Sequence, residues 1–448
     1  MDNKEFYQSI KKVAIPITIQ CLLQSALSLI DQIMIGHLGS ASIAGVGLAG
    51  KFSTLFSVTM NAIVAVAGIL IAQYKGSKNK EGINTSFFTN LYFSLAVAIL
   101  FILLSFAFPT QIMGFYSKDP ATIEKAAIYL RIMAVGFVPQ TITLMFSALL
   151  RNMEAAKFAT IAGGVSVVSN TLFNYLFIYG VGIFPEMGVE GAALATSLAR
   201  CIELVIIFVL FYRMKDKKGI QLRFVFRFEI SFIKKIGCIL VPILLCEFLW
   251  SLGENIYAVL YGHIGTEACA AMTLTYPIQG LAMGALSGIS SAAGIIVGES
   301  LGAGKPDKAY QEAKKLVKIS VIGAIIIGIV VSAISGYYVK LYNVSDDTKQ
   351  VTVYILFAYS LVLCGKVINM VLGGGVLRSG GQTKYIMYID LIGTWLIGVP
   401  LGYIAAYVFK LPIYYVYFIL SLEEYVRVLL GAYLFKSRRW MKNLAEAE

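Results

Sequence analysis

The chain consists of two halves that repeat the same landmarks at a nearly constant spacing. Pro16 recurs as Pro242, 226 residues later, and Arg151 of a Leu-Arg doublet recurs as Arg378, 227 residues later. Two apolar halves of equal length are typical of a transporter with pseudo-symmetric lobes. Where the halves agree, we expect scaffold; where they differ, one lobe carries chemistry that the other lacks.

Apolar runs of roughly 20 residues, the length that crosses ~30 Å of hydrocarbon, recur twelve times along the chain, six in each half. With 58% hydrophobic and 14% charged residues, the chain has more apolar surface than a soluble protein could bury. The sequence therefore predicts an all-α integral membrane protein with twelve transmembrane helices in two pseudo-symmetric six-helix lobes. The predicted spans are 14–36, 43–73, 86–108, 124–147, 159–180, 191–212, 237–261, 269–299, 317–340, 351–373, 385–408 and 413–436.

Basic residues are concentrated in alternate loops, which predicts the side of the membrane on which each loop lies. They cluster at the N-terminus, after the even-numbered spans and between the halves. We therefore expect a multi-pass protein of the cell membrane with both termini cytoplasmic. This asymmetry accounts for the net charge of +12, and without a recognition motif we expect no nucleic-acid partner. The predicted parts are an N-lobe (1–212), a basic cytoplasmic linker (213–236), a C-lobe (237–436) and a cytoplasmic tail (437–448).

Cysteine, histidine and the common catalytic motifs give no sign of a metal centre or an enzyme. The six cysteines are scattered through apolar spans without a CxxC pair and are interpreted as packing residues. His37 and His263 are symmetry mates in Gly-His-x-Gly turns, which favours a structural turn over a proton relay. HExxH, GxSxG and a sizeable soluble domain are all missing. We expect neither enzymatic activity nor a cofactor.

Asp31 is the intramembrane charge that most requires an explanation, because a charge at the bilayer centre costs about 2.5 kcal/mol or more. Its symmetry mate is Tyr257, so the carboxylate exists in one half only. Asn170 and Asn174 lie four residues apart on one helical face, and their symmetry mates are the apolar residues Ile397 and Leu401. A carboxylate and two carboxamides provide the oxygen ligands that Na⁺ requires, and a buried aspartate can instead carry a proton. A purely structural hydrogen-bonded cluster is the alternative.

The second half has its own acidic pair, Glu247 and Glu254, seven residues apart and therefore two turns along one helical face. Trp250 lies between them and Tyr257 lies beyond them. A carboxylate beside aromatic rings is a typical binding site for a lipophilic organic cation. The alternative is a structural ion pair between one of these carboxylates and Lys366.

Most of the other intramembrane charges are interpreted as structural. Arg200 with Glu203, and Glu424 with Arg427, are three residues apart and are predicted to pair within their helices. Asp390 is predicted to pair with a basic residue of the preceding loop or of the tenth span, and a functional role stays open. Gln24 in the first span is a further candidate for substrate contact.

Three stretches, taken together with the repeated Leu-Arg doublet, resemble the multidrug and toxic compound extrusion (MATE) family: Leu29–Gly36, Ser169–Tyr175 and Gly188–Ala193. The similarity covers essentially the whole chain in order and spacing. The resemblance implies a V-shaped bundle of two six-helix lobes. It also implies export of organic cations in exchange for Na⁺ or H⁺.

By this resemblance, the N-lobe cation site of the family corresponds to Asp31, Asn170 and Asn174. The family also has a proline in helix one, where a kink accompanies changes at the cation site, and this proline corresponds to Pro16. A carboxamide at position 174 is closer to the NorM-like branch than to the DinF-like branch. The chain departs from NorM-type members at Trp250, where they carry a helix-seven glutamate. The helix-ten aspartate of that branch is also replaced. We therefore place the coupling ion in the N-lobe.

The predicted function is secondary active antiport: a monomer exports lipophilic or cationic drugs or toxic metabolites in exchange for Na⁺ or H⁺ by alternating access. A lipid-linked oligosaccharide flippase of the same superfamily is the alternative. Such a flippase would need several cationic residues to hold a pyrophosphate, and Lys51 and Lys366 are the only unpaired candidates in the sequence.

Overall fold

A computed structural model gives the fold of this protein. It describes residues 3–35, 40–216, 222–223, 230–342 and 344–446, without the side chains of 3–5, 26–33, 35, 40–44 and 266. The Gly-His-Leu-Gly sequence at 36–39 and two stretches of the predicted linker, 217–221 and 224–229, lie outside these residues. His37 is therefore not described, whereas His263 closes a helix and its Nδ1 lies 2.8 Å from the Val259 carbonyl oxygen.

The described residues of each of the twelve predicted spans are almost all helical, and the described residues contain no strand. The fold class predicted from the sequence is confirmed. The helices are α1 (Asn3–Ile35), α2 (Ser40–Gly76), α3 (Lys80–Ala107), α4 (Pro109–Tyr116), α5 (Pro120–Val135), α6 (Phe137–Asn152), α7 (Ala156–Tyr179), α8 (Gly188–Met214), α9 (Ile230–Ile264), α10 (Thr266–Gly302), α11 (Pro306–Tyr338), α12 (Asp346–Asn369), α13 (Thr383–Leu391), α14 (Val399–Tyr403), α15 (Ile413–Leu420) and α16 (Glu423–Ser437).

Within the described ranges, nine helical spans are long and apolar enough to cross a bilayer. Helices α5 and α6 form a tenth when they are counted together, because they meet at a 46° bend at Gly136. One face of α11 exposes a row of large aliphatic side chains, which is unfavourable in water and favourable in contact with lipid. They are Ile322, Ile325, Ile326, Ile329 and Val330.

Three regions of the second half form π-helical turns rather than regular α-helix. Helix α12 continues into such turns over Met370–Leu377, α13 over Ile392–Gly398 and α14 over Ile404–Val408. The first of these regions packs closely on α10: a Cβ added at Gly375 would lie 2.6 Å from the Ser290 carbonyl oxygen. Glycine is required at this position because two helix backbones meet there.

The chain divides into two compact units. Unit 2 comprises residues 19–71 and 79–233, and unit 1 comprises residues 1–18, 72–78 and 234–448. In unit 2, the Phe146 ring contacts three other rings and anchors an apolar core, with centroid distances of 4.8–5.1 Å to Phe87, Phe208 and Phe211.

Unit 1 takes in the first half of α1 and the last turn of α2, together with the second repeat. Thr18 Oγ1 donates to the Ala285 carbonyl oxygen at 3.2 Å, and Gly288 lies directly against the Ala14 carbonyl oxygen. Pro16 lies inside helix α1 and, because proline has no backbone N–H, removes one helical hydrogen bond. Helix α1 passes from unit 1 to unit 2 two residues after this proline. The lobe limits predicted from the repeat stay a prediction.

Candidate functional site

The two asparagines singled out in the first half form a buried polar pair on α7. Asn174 Nδ2 donates to Asn170 Oδ1 at 3.1 Å, and Asn170 Nδ2 donates to Thr196 Oγ1 of α8 at 3.2 Å. Only 3% of Asn170 and 1% of Asn174 is exposed. Buried amides must be hydrogen-bonded to be tolerated, and their carbonyl oxygens are also hard ligands for a small cation.

Asp31 lies on α1, but its side chain is outside the described part of the chain. The backbone of α1 runs close to α7, because the Tyr179 hydroxyl donates to the Met34 carbonyl oxygen at 3.4 Å. Position 31 is therefore three residues before a direct contact between α1 and the helix that carries the asparagines. Gln24 is exposed, and Pro16 lies inside helix α1.

Unit 1 contains a cavity of about 680 Å³ between α9, α10, α12, the π-helical turns, α13 and α16. Three of the candidates from the second half, Glu247, Trp250 and Glu254, line it from α9. Tyr257 is not among the lining residues, because it is buried and its hydroxyl donates to Glu423 Oε2 at 2.8 Å. Its described contact is therefore with a carboxylate outside the cavity lining.

An ion-pair network surrounds this cavity. Its distances are Arg378 Nη2–Glu247 Oε1 3.2 Å, Lys366 Nζ–Glu424 Oε1 3.0 Å, Arg427 Nη2–Glu423 Oε1 3.2 Å and Arg427 Nη1–Asp390 Oδ1 3.6 Å. The Cys246 thiol also donates to Asp390 Oδ2 at 2.6 Å. Every one of these contacts lies within unit 1.

Several pairings expected from the sequence are wrong. Lys366 pairs with Glu424 rather than with Glu247 or Glu254, and Asp390 pairs with Arg427 rather than with a basic residue of the preceding loop or of the tenth span. The within-helix partner of Arg427 is the residue at i−4 rather than the one at i−3. Sequence spacing identifies which residues share one face of a helix. The ion-pair partner on a neighbouring helix depends instead on how the helices pack.

Glu254 takes part in none of these ion pairs. It is exposed to the cavity and makes neither a hydrogen bond nor an ion pair with any described residue. The cavity lining holds four carboxylates and three cationic side chains, so it carries one net negative charge when all are ionised. The aromatic side chains of Trp250 and Tyr276 line the same space. A carboxylate that has no direct ion-pair partner among the described residues and lies beside aromatic rings is suited to a cationic ligand.

Little in the sequence indicated the basic residues that neutralise the carboxylates of the cavity, except for Arg378, which is the repeat equivalent of Arg151. In unit 2, Arg151 Nη2 donates to Gln20 Oε1 at 2.8 Å. The equivalent arginine of the second half, Arg378, binds Glu247 instead, where the first half has Cys21. The shared arginine therefore contacts an amide in one half and a carboxylate in the other.

Twelve predicted apolar spans in two matching halves, with polar groups buried inside each half, define a polytopic membrane transport protein. The model of the MatE family matches residues 16–176 and again residues 242–404. The chain belongs to the MatE family, and it resembles the NorM-like members within it.

Curated relatives align over most of the chain. A probable multidrug resistance protein NorM of Photorhabdus laumondii is 26% identical, over 87% of this chain and 86% of the relative. A multidrug resistance protein MdtK of Yersinia enterocolitica is 25% identical, over 89% of this chain and 87% of the relative. An uncharacterized transporter, YisQ of Bacillus subtilis, is 24% identical, over 96% and 94%.

Solved structures show the same fold at low sequence identity. A MATE protein in its straight conformation aligns with a TM-score of 0.88 at 19% identity, covering 96% of this chain and 95% of that one. An outward-facing multidrug resistance MATE family transporter aligns with a TM-score of 0.87 at 20% identity, covering 96% of both chains.

Proposed function

We propose that this protein exports organic cations across the cell membrane in exchange for Na⁺ or H⁺, and that it alternates access between the two sides as a monomer with cytoplasmic termini. The observation that carries the proposal is Glu254, a carboxylate that makes no direct ion pair with a described residue and lines a cavity large enough for a drug-sized molecule. Relatives named as multidrug resistance proteins support drug export as the activity.

The same cavity favours cationic over anionic substrates. Its three cationic side chains, Lys366, Arg378 and Arg427, each pair with a carboxylate of the protein. A pyrophosphate-bearing lipid would have to displace one of these carboxylates. The flippase alternative therefore gains no support from this cavity.

Coupling is assigned to the first half. Asn170 and Asn174 present a buried pair of amides, and α1 runs beside their helix three residues after position 31. A cation or proton at this site would stabilise one packing of the helices, and the drug would stabilise another. Transport is coupled if the two ligands prefer different states of the protein.

Ethidium efflux from proteoliposomes tests the proposal, with Na⁺ and proton gradients imposed separately on wild type and on Asp31→Asn. We expect one gradient to accelerate efflux of wild type and the variant to lose that response while remaining folded by size exclusion. No response of folded wild type to either gradient would contradict antiport and favour the flippase. Full ion-driven efflux by Asp31→Asn would contradict the assignment of the coupling site.

A further inference from the structure

We propose that Lys366 determines how many positive charges a preferred substrate carries. The Lys366 ammonium neutralises Glu424 and leaves Glu254 as the one carboxylate of the lining that is available to a substrate, so that singly charged cations are preferred over doubly charged ones. The inference rests on the proposed function, because it assumes that substrates bind in this cavity.

The geometry around Glu424 shows why the ammonium of Lys366 holds this position. Lys366 Nζ donates to Glu424 Oε1 at 3.0 Å, and Asn369 Nδ2 donates to Oε2 at 2.8 Å. Asn369 Nδ2 also lies 2.8 Å from the backbone carbonyl oxygen of Glu424. Both carboxylate oxygens therefore have a donor, and the Glu424 side chain is only 9% exposed. A carboxylate this buried needs its counter-charge to remain ionised.

Lys366 differs from the other two cations of the lining in what its removal would expose. Arg427 contacts both Glu423 and Asp390, and Arg378 contacts Glu247 at the opposite end of the α9 acidic pair. Lys366, in contrast, has Glu424 as its one ion-pair partner among the described residues. Without Lys366, the cavity lining would hold four carboxylates and two cations, and both Glu254 and Glu424 would lack a counter-ion.

Charge balance then determines the preferred ligand. Glu423 shares Arg427 with Asp390 but lies outside the lining. Among the seven charged side chains of the lining itself, one positive charge at Glu254 restores neutrality, whereas a second positive charge in the same cavity would approach the Lys366 ammonium. Like charges at close range in a partly desolvated site disfavour binding. A dication gains a second carboxylate only if the protein gives up its own ammonium.

Ethidium and propidium provide a matched pair of probes, because both carry the same phenanthridinium ring and propidium adds a quaternary ammonium group. Their dissociation constants are measured by fluorescence on purified protein, and the comparison uses the ratio of the two. The ratio does not depend on the fraction of active protein, so partial unfolding of a variant does not change it. Lys384→Gln serves as the control, because Lys384 is exposed in the same unit and does not line the cavity.

We expect wild type and the Lys384→Gln control to bind ethidium more tightly than propidium. In Lys366→Gln the ratio should shift toward propidium by about tenfold, equivalent to ~1.4 kcal/mol. In Glu424→Gln, the released ammonium should compete for Glu254 and weaken ethidium binding. The double variant Lys366→Gln/Glu424→Gln removes both charges and should regain the wild-type preference.

Glu254→Gln separates the two possible failures. If Glu254→Gln leaves ethidium binding unchanged, this cavity is not the substrate site and the proposed function loses its main support. If Glu254→Gln weakens ethidium binding but the propidium-to-ethidium ratio is the same in Lys366→Gln as in wild type, only the role of Lys366 is overturned. A double variant that retains the ratio of Lys366→Gln would also overturn it, because Glu424 would not be the second carboxylate.

Discussion

Gln73 Oε1 accepts a hydrogen bond from the backbone N–H of Leu444 at 2.6 Å, which joins the end of α2 to the last residues of the chain. The Gln73 amide group also donates to the carbonyl oxygens of Ser379 at 2.6 Å and Lys442 at 3.1 Å. Gln73 is fully buried, and so is Trp440 in the same terminal segment. The segment 440–444 is thus a packed part of unit 1.

Gln73→Ala should destabilise the protein by about 2–3 kcal/mol, because it leaves one buried N–H and two carbonyl oxygens without their partner. The measurement is thermal unfolding in detergent followed by intrinsic fluorescence. Gln111→Ala is the control, since Gln111 is exposed on α4. Equal melting temperatures for the two variants would show that the terminal segment contributes nothing to stability.

Gly393→Ala should disturb the ion-pair network around the cavity. An added Cβ would contact Arg427 at Nε and Cγ and push this side chain away from Asp390 and Glu423. We expect lower thermal stability and weaker ethidium binding. Gly237→Ala, also in unit 1, has open space at its Cβ and should instead stabilise its helix by up to about 1 kcal/mol. A Gly393→Ala protein that melts at the wild-type temperature would contradict the packing.

Glu254→Gln should weaken ethidium binding by about tenfold, because it removes the net negative charge of the cavity with almost no change in shape. Glu267→Gln provides the matched control, because Glu267 is exposed at the start of α10 in the same unit. Binding is measured by fluorescence titration. Similar affinities in the two variants would exclude Glu254 as the substrate carboxylate.

Asn174→Ala should separate coupling from drug binding. We expect ion-driven efflux to fall at least about tenfold while ethidium affinity changes less than twofold, since the asparagine pair lies in unit 2 and the cavity in unit 1. Thr171→Val, on the same helix, is the control. Loss of ethidium affinity in folded Asn174→Ala would show that α7 belongs to the drug site.

The sequence was sufficient to predict the membrane fold, because an apolar run of about 20 residues has few alternatives to a transmembrane helix. It did not predict α4 or the π-helical turns after α12. Those turns depend on contacts such as the one between Gly375 and Ser290, which are not encoded in local spacing.

The candidate site was predictable only in part. Glu247, Trp250 and Glu254 were identifiable because polar and aromatic groups stand out within an apolar helix. Their partners were not, because Lys366 and Glu424 are 58 residues apart and many packings could bring either one to a different charge. A charged residue in an apolar helix can be recognised from the sequence, whereas its counter-ion depends on the tertiary structure.

Drug-driven ion movement is the most direct test of coupled antiport. Proteoliposomes containing a Na⁺-sensitive or a pH-sensitive dye receive an ethidium gradient and no ion gradient. The account predicts that ethidium moving through wild type drives Na⁺ or H⁺ in the opposite direction, and that neither Asp31→Asn nor Glu254→Gln sustains this flux. Ethidium transport by wild type without any counter-movement of either ion would contradict it.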